Sequence, residues 1–229
     1  MAGPHTPKEV VIEEHKRLRG GRLEFAEGSS DPQASFGSRI SIENYNILRK
    51  AQEMVKDHGF TIKEDSFTRS FEKEHLPCRL EELPTEKLSK GVESVAFDVG
   101  HNPDALGKTL AAYLQRHDNK PAVVVYGCKE RKDFQACLEK ISPKCQNIFV
   151  VQAKNTKGVV EARQIYEGGV AANLPVKRVG DKGDISQTLS EICSEIEHGK
   201  LRERHVLVIG SFTLMREARE YFGLHCPTD

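Results

Sequence analysis

VESVAFDVGHNPDALGKTLAAYLQR, residues 92–116, is a short apolar run that ends in a turn and gives way to a segment with Leu and Ala three and four apart. The first half has the length and the β-branched and aromatic content of a buried strand, and the second has the period of a helix. The unit recurs. PAVVVYG (121–127), NIFVVQA (147–153), VKRVG (176–180) and HVLVIGS (205–211) are each followed by a helically spaced segment, such as Ile185 to His198. Repeated βα units with near-continuous apolar strands predict a parallel sheet covered by helices on both faces. The expected fold is α/β: a doubly wound, mostly parallel Rossmann-like sheet.

Residues 1–75 lack this rhythm. They offer two helical stretches, Val10 to Arg19 and Ile42 to His58, one short strand candidate in RLEFAEG (22–28), and a polar loop rich in turn formers, GSSDPQASFGS (28–38). The second stretch places Ile47, Leu48, Ala51, Met54 and Val55 on one face and runs out near Gly59. Such a set can hardly close a core, so an incomplete piece of a second domain is expected here. Pro77 and Pro84, around a charged run in HLPCRLEELPTE (75–86), mark the expected boundary.

Composition removes several function classes. Of 229 residues, 34 are Lys or Arg and 34 are Asp or Glu; the formal net charge of +0 leaves no overall electrostatic pull towards nucleic acid or an anionic membrane. No apolar run approaches the ~18 residues of a membrane span. The start MAGPHTPKEVV lacks the apolar core of a signal peptide, so a cytoplasmic location is expected. The six cysteines, at 78, 128, 137, 145, 193 and 226, show neither CxxC pairs nor zinc-finger spacing, and the histidines form no HExxH. Reduced thiols rather than a metal site follow.

In an open parallel sheet, ligands bind beyond the carboxyl ends of the strands, so the residues after each apolar run are the ones to read. After the first come Asp98, Val99, Gly100, His101, Asn102 and Pro103. Asn102 suits an N-cap and Pro103 the first helical position, which puts Asp98 and His101 at the anion-attracting start of a helix. A carboxylate there can take a ribose hydroxyl or an ammonium group, and an imidazole can orient a carboxylate. An Asp that merely ties down a loop, beside a surface His, explains the same residues. Gly107-Lys108-Thr109 imitates the end of a phosphate-binding loop, but Asn102 stands where that motif needs its first glycine. With Pro103 opening the helix, Gly107 and Lys108 fall beyond its first turn, where backbone N–H groups are already bonded. No GxGxxG occurs, which argues against a dinucleotide-dependent oxidoreductase. The other strand ends bring Lys129, Glu130, Arg131, Lys132 and Asp133, then Lys154, Asn155 and Lys157, then Ser211. Cations, amides and a hydroxyl at one edge suit a ligand bearing a carboxylate or a phosphate.

DVGHNPDA (98–105) resembles the Asp, two variable residues, then His-Asn-Pro of the folylpolyglutamate synthase/dihydrofolate synthase family, in the carboxyl-terminal domain of the Mur ligase superfamily. LPCRLE (76–81) is similar to the family's interdomain segment, usually tryptophan-Pro-Gly-Arg-Leu-Glu, with Leu76 for tryptophan and Cys78 for glycine. YGCKERKDF (126–134) resembles the turn with a Lys-Asp pair, here Lys132 and Asp133, and GSFTLMREAREYFG (210–223) the closing strand end and helix. GPHTPKEVVIEE (3–14) and Ile42 to His58 more weakly resemble the end of the ATPase domain.

The resemblance implies three regions: 1–75, a remnant of the central ATP-binding domain; 76–90, an interdomain linker; and 91–229, a Mur-ligase-type carboxyl-terminal domain. It also implies ATP-dependent ligation of L-glutamate to folate or dihydropteroate, with ATP and Mg2+ as cofactors and a monomeric protein. Charge building on phosphoryl and carbonyl oxygens would be met by cations at a domain junction. Arg79 and Asp98 would bind nucleotide, with Asp98 alternatively meeting the glutamate amine. His101, Lys132 and Ser211 would bind glutamate, and Asn102 would cap the helix. In the family the glycine-rich phosphate-binding loop, the magnesium ligands and a modified lysine precede the segment that this sequence resembles. The expectation is a truncated form inactive by itself, the alternative being a non-catalytic glutamate- or nucleotide-binding module. A mitochondrial form of a longer parent stays open.

Overall fold

The computed structural model describes residues 7–19, 21–26, 42–63, 66, 77–178 and 183–224. Leu76, Val179, Gly180, Cys226 and the polar loop 28–38 lie outside these residues. The chain divides into two compact units, Met1–His75 and Leu76–Asp229.

In the first unit, α1 (Lys8–Arg17) and α2 (Ile42–Asp57) fall where the helical spacing predicts. α2 ends as a glycine stop does: Gly59 sits at φ 85°, and its N–H donates to the carbonyl of Lys56 at 2.9 Å. Phe25 occupies an isolated bridge position, so the strand expected in 22–28 is reduced to one residue among those described. α1 has no buried residue.

The second unit is built on a six-stranded sheet: β1 (Glu81–Glu82), β2 (Ser94–Asp98), β3 (Ala122–Tyr126), β4 (Asn147–Val150), β5 (Val176–Lys177) and β6 (His205–Ile209). Its order is β1-β2-β6-β3-β4-β5. All pairings are parallel except that of β1 with β2, where Glu81 faces Phe97 and Glu82 faces Ala96. The sequence reading does not contain β1; two glutamates lack a strand's usual apolar content. A short charged strand is suited to an edge, where it discourages pairing with another chain. Residues 77–90, read from the sequence as part of a linker, thus pack onto the sheet, with Cys78, Leu80 and Leu83 buried.

Five helices complete the layers: α3 (Pro103–Arg116), α4 (Phe134–Ile141), α5 (Ala162–Ala171), α6 (Ile185–Glu197) and α7 (Phe212–Tyr221). Alternation along each strand divides the apolar residues between two cores. Val95, Phe97, Val123, Val125, Val206 and Val208 face Ile185, Leu189 and Ile192 of α6 and Leu214 and Met215 of α7. Ala96, Val124, Ile148, Leu207 and Ile209 face Leu106 and Leu110 of α3, Leu138 of α4 and Ile165 of α5. This is the doubly wound arrangement. Because α3 and α7 leave β2 and β6 towards opposite faces, a crevice opens at the carboxyl ends of these neighbouring strands. No helix of the described residues is long and apolar enough to cross a membrane.

Candidate functional site

At that crevice lies a cavity of about 170 Å3 lined by His101, Lys129, Lys132, Gly210, Ser211 and Phe212. Three separate strand ends supply them: β2 contributes His101, β3 the two lysines, and β6 the remaining three. The sequence-derived residues His101, Lys132 and Ser211 therefore share one cavity.

Each is positioned by local chemistry. Asn102 caps α3, its side-chain oxygen accepting from Ala105 N–H at 2.8 Å, and Pro103 takes the first turn. That cap sets the turn bearing His101, whose Nδ1 lies 3.1 Å from the Val99 carbonyl. A carbonyl only accepts, so Nδ1 carries the proton; Nε2 is a lone pair in the neutral ring and a donor in the imidazolium. Asp133 caps α4 through Ala136 N–H at 2.9 Å, leaving Lys132 just ahead of the helix. Ser211 caps α7, accepting from Thr213 N–H at 3.3 Å with its hydroxyl 2.9 Å from that of Thr213. Beneath it Gly210 sits at φ 127°, where a Cβ would stand 2.2 Å from the carbonyl oxygen of Gly127; only glycine lets the ends of β3 and β6 approach so closely.

Asp98 and Arg79 lie outside the cavity lining. Asp98 is 5% exposed, and its carboxylate is occupied within the fold: Oδ2 accepts from Leu80 N–H at 2.8 Å, and Oδ1 accepts from Gly100 N–H at 2.7 Å and from the Thr109 hydroxyl at 3.1 Å. It ties the segment carrying Arg79 to the turn carrying His101. The Arg79 side chain is exposed between Cys78 at φ 59° and Leu80 at φ 46°. Two left-handed non-glycine residues in succession around one arginine are costly, and such conformations persist where surrounding contacts hold them. Here Glu81 accepts from Cys78 N–H at 2.8 Å and pairs with buried Arg219, while Arg116 holds Glu82 at 2.8 Å. Cys78 stands where the resembled segment has glycine, and its positive φ supplies the reason glycine suits that place.

The remaining cations at this edge do not join the cavity. Lys154 is ion-paired with Asp184, and Lys154 and Asn155 line a separate, more open depression of about 640 Å3 that also carries Arg216, Glu217 and Glu220. A depression with both signs of charge gives an anion no clear preference. The imitation phosphate loop lies within α3, where Lys108 pairs with Asp104 at 3.2 Å. Of the thiols, Cys128 is nearest in sequence to the cavity lysines, and burial pushes it up to about 11, so it stays protonated near neutrality and is no nucleophile. Of the other cavity residues, the sequence reading named Lys129 only within the cation run after β3, with no role of its own, and did not name Phe212. Lys129 belongs to a charge run that ordinarily marks a solvated face, and Phe212 carries no polar group to draw attention.

The second unit is thus a doubly wound α/β domain whose switch point carries cations with no carboxylate partner among the described residues. A family model, Mur ligase, glutamate ligase domain, matches residues 79–212, more than half of the chain. The chain belongs to this family. No match was found among curated proteins. Solved structures share its fold. Folylpolyglutamate synthase of Mycobacterium tuberculosis, complexed with ADP and AMPPCP, is 17% identical with a TM-score of 0.69 over 96% of this chain and 54% of its own. E. coli FolC in complex with DHPP and ADP is 19% identical, with a TM-score of 0.62 over 81% of this chain and 40% of its own. The bifunctional folylpolyglutamate synthase/dihydrofolate synthase of Yersinia pestis, complexed with AMPPNP and Mn ion, is 16% identical, with a TM-score of 0.58 over 82% and 40%. The chain thus spans about half or less of the length of these relatives.

Proposed function

We propose that the second unit is the glutamate-binding part of an ATP-dependent ligase that joins L-glutamate to a folate. One observation carries this reading: His101, Lys132 and Ser211, from three different strand ends, line one cavity whose cations have no carboxylate partner among the described residues. In this reading Lys132 pairs with a glutamate carboxylate, the Ser211 hydroxyl bonds to it, and His101 Nε2 orients it as a donor when the ring is charged. Holding the amino acid still is itself catalytic, since a correctly placed amine meets an activated carboxyl without the entropy cost of a free encounter. Asp98 acts through the backbone it holds, fixing the turn of His101 and the segment of Arg79. The exposed guanidinium of Arg79 has the fork geometry that suits a nucleotide phosphate.

The relatives solved with nucleotides and a metal ion raise the question of what this chain could hold of either. Arg79 suits a phosphate. Mg2+ does not fit: the cavity presents lysines and an imidazole, and no three carboxylate, imidazole or thiolate groups among the described residues stand where they could share a metal.

The test is a titration of the isotopically labelled full chain with L-glutamate, followed by NMR. Saturable shifts should gather at residues 100–102, 129–132 and 210–212. Shifts elsewhere, or none at millimolar ligand, would overturn the reading.

A further inference from the structure

We propose that Lys129 is a selectivity residue that makes the cavity prefer an amino acid with two carboxylates over one whose side-chain carboxyl is an amide, with Phe212 as the wall for the intervening methylenes. This rests on the glutamate reading above and adds a residue that the family motif, centred on the Lys132-Asp133 pair, does not supply.

Lys129 is held in place by its backbone. Beyond β3 an isolated antiparallel bridge pairs Lys129 with Val159. Val160 N–H donates to the Cys128 carbonyl at 3.0 Å, and Glu130 N–H donates to the Gly158 carbonyl at 3.0 Å. Lys132 N–H then donates to the Lys129 carbonyl at 3.0 Å, closing a turn. Two lysines are thereby presented to the same cavity from one pinned loop. Lys154, also at this edge, is neutralised by Asp184. Lys129 and Lys132 have no such partner among the described residues.

Charge counting then chooses the occupant. The lining holds two lysines and a histidine and no carboxylate. One bound carboxylate answers one lysine and leaves the other without an anion; a second carboxylate meets it, and the ammonium that glutamate and glutamine share does not distinguish them. Phe212 opens α7 with 64% of its surface exposed, and it borders the cavity. A methylene chain between two carboxylates gives that ring something to cover. The cavity's volume of about 170 Å3 is that of a site for a small ligand rather than for a single water.

The experiment compares L-glutamate with L-glutamine on the full chain and on Lys129→Met, using the same NMR titration. The parent should bind glutamate on the order of tenfold more tightly than glutamine, the scale of one charge-assisted contact. Lys129→Met should lose that preference while its glutamine affinity stays the same. A variant that still prefers glutamate by the parental factor overturns the assignment of Lys129 and leaves the glutamate reading intact. A parent that binds neither amino acid removes both. Phe212→Ala should weaken glutamate and glutamine alike; an unchanged affinity for both would remove Phe212 from the site. The amide spectrum of each variant establishes that the fold is retained.

Discussion

The two units differ in what their helices are given to pack against. In the second, five helices lie on a sheet whose inner strands are wholly buried, and residues such as Phe97, Val124, Ile148 and Leu207 have no exposed surface. In the first, two helices carry the right spacing, yet among the described residues only Ala26 and Gln52 are buried, and Leu48, Phe60 and Ile62 are exposed. Periodicity alone makes a helix amphipathic; stability comes when that face meets a partner, at about 1.5–3 kcal/mol per fully buried large apolar side chain.

Hydrogen exchange on the whole chain tests this contrast most directly. Amides of β2, β3, β4 and β6 should exchange near the global unfolding limit and those of α1 and α2 much faster. Equal protection in both units would break the comparison. The largest effect of a single substitution should come from Phe97→Ala, which removes a fully buried ring and should cost about 3–5 kcal/mol in denaturant unfolding. Leu48→Ala, at a residue 42% exposed, should stay within about 0.5 kcal/mol. A Leu48 cost of similar size to that of Phe97 would show that the first unit has a core.

Asp98→Ala comes next. It strands the buried N–H groups of Leu80 and Gly100, at about 1–3 kcal/mol for each unsatisfied group, and should release the segment around Arg79. Faster exchange at residues 78–82 would accompany the loss; unchanged stability would argue that Asp98 faces a ligand instead of the fold. Asn102→Ala should cost only about 1 kcal/mol, the usual worth of an N-cap, seen as a lowered denaturant midpoint with an unchanged slope.

The smallest effect is of pH. Burial holds His205 below the ordinary histidine range, helped by the His117 ring 4.6 Å away and by Lys120; Glu93 and Glu82 oppose the shift. Ser94 bonds its Nδ1 at 2.8 Å. The unfolded chain takes up a proton near pH 6.5 that the native state refuses. Stability in the second unit should therefore be full above that pH and decline as pH falls through it. His205→Gln should flatten the decline; an identical profile would place its origin in other groups.

How far the sequence carried can be judged residue by residue. The strands β2, β3, β4 and β6, the helices between them and the cap Asn102 were legible, because runs, periods and caps depend on residues within a few positions of each other; Asp133 and Ser211 are read as residues of the family motifs, and their capping roles come from the structure. Asn102 meets Ala105 three residues away, and nothing distant is needed to place that bond. The family motif also singled out His101, Lys132 and Ser211, which share the cavity.

Only the tertiary structure decided the rest. β6 inserts between β2 and β3, so that Ser211 reaches His101 and Lys132 from far along the chain, an outcome of strand order and not of spacing. Lys129 and Lys154 look alike as cations after apolar strands, yet one lines the cavity with no carboxylate partner among the described residues and the other is spent on Asp184, thirty positions further on. The sequence shows the carboxylate of Asp98 but not that Leu80, eighteen residues earlier, donates its N–H to it. Local sequence determines which elements form because their energies are local; which polar groups remain free for a ligand is settled only after distant partners have claimed theirs.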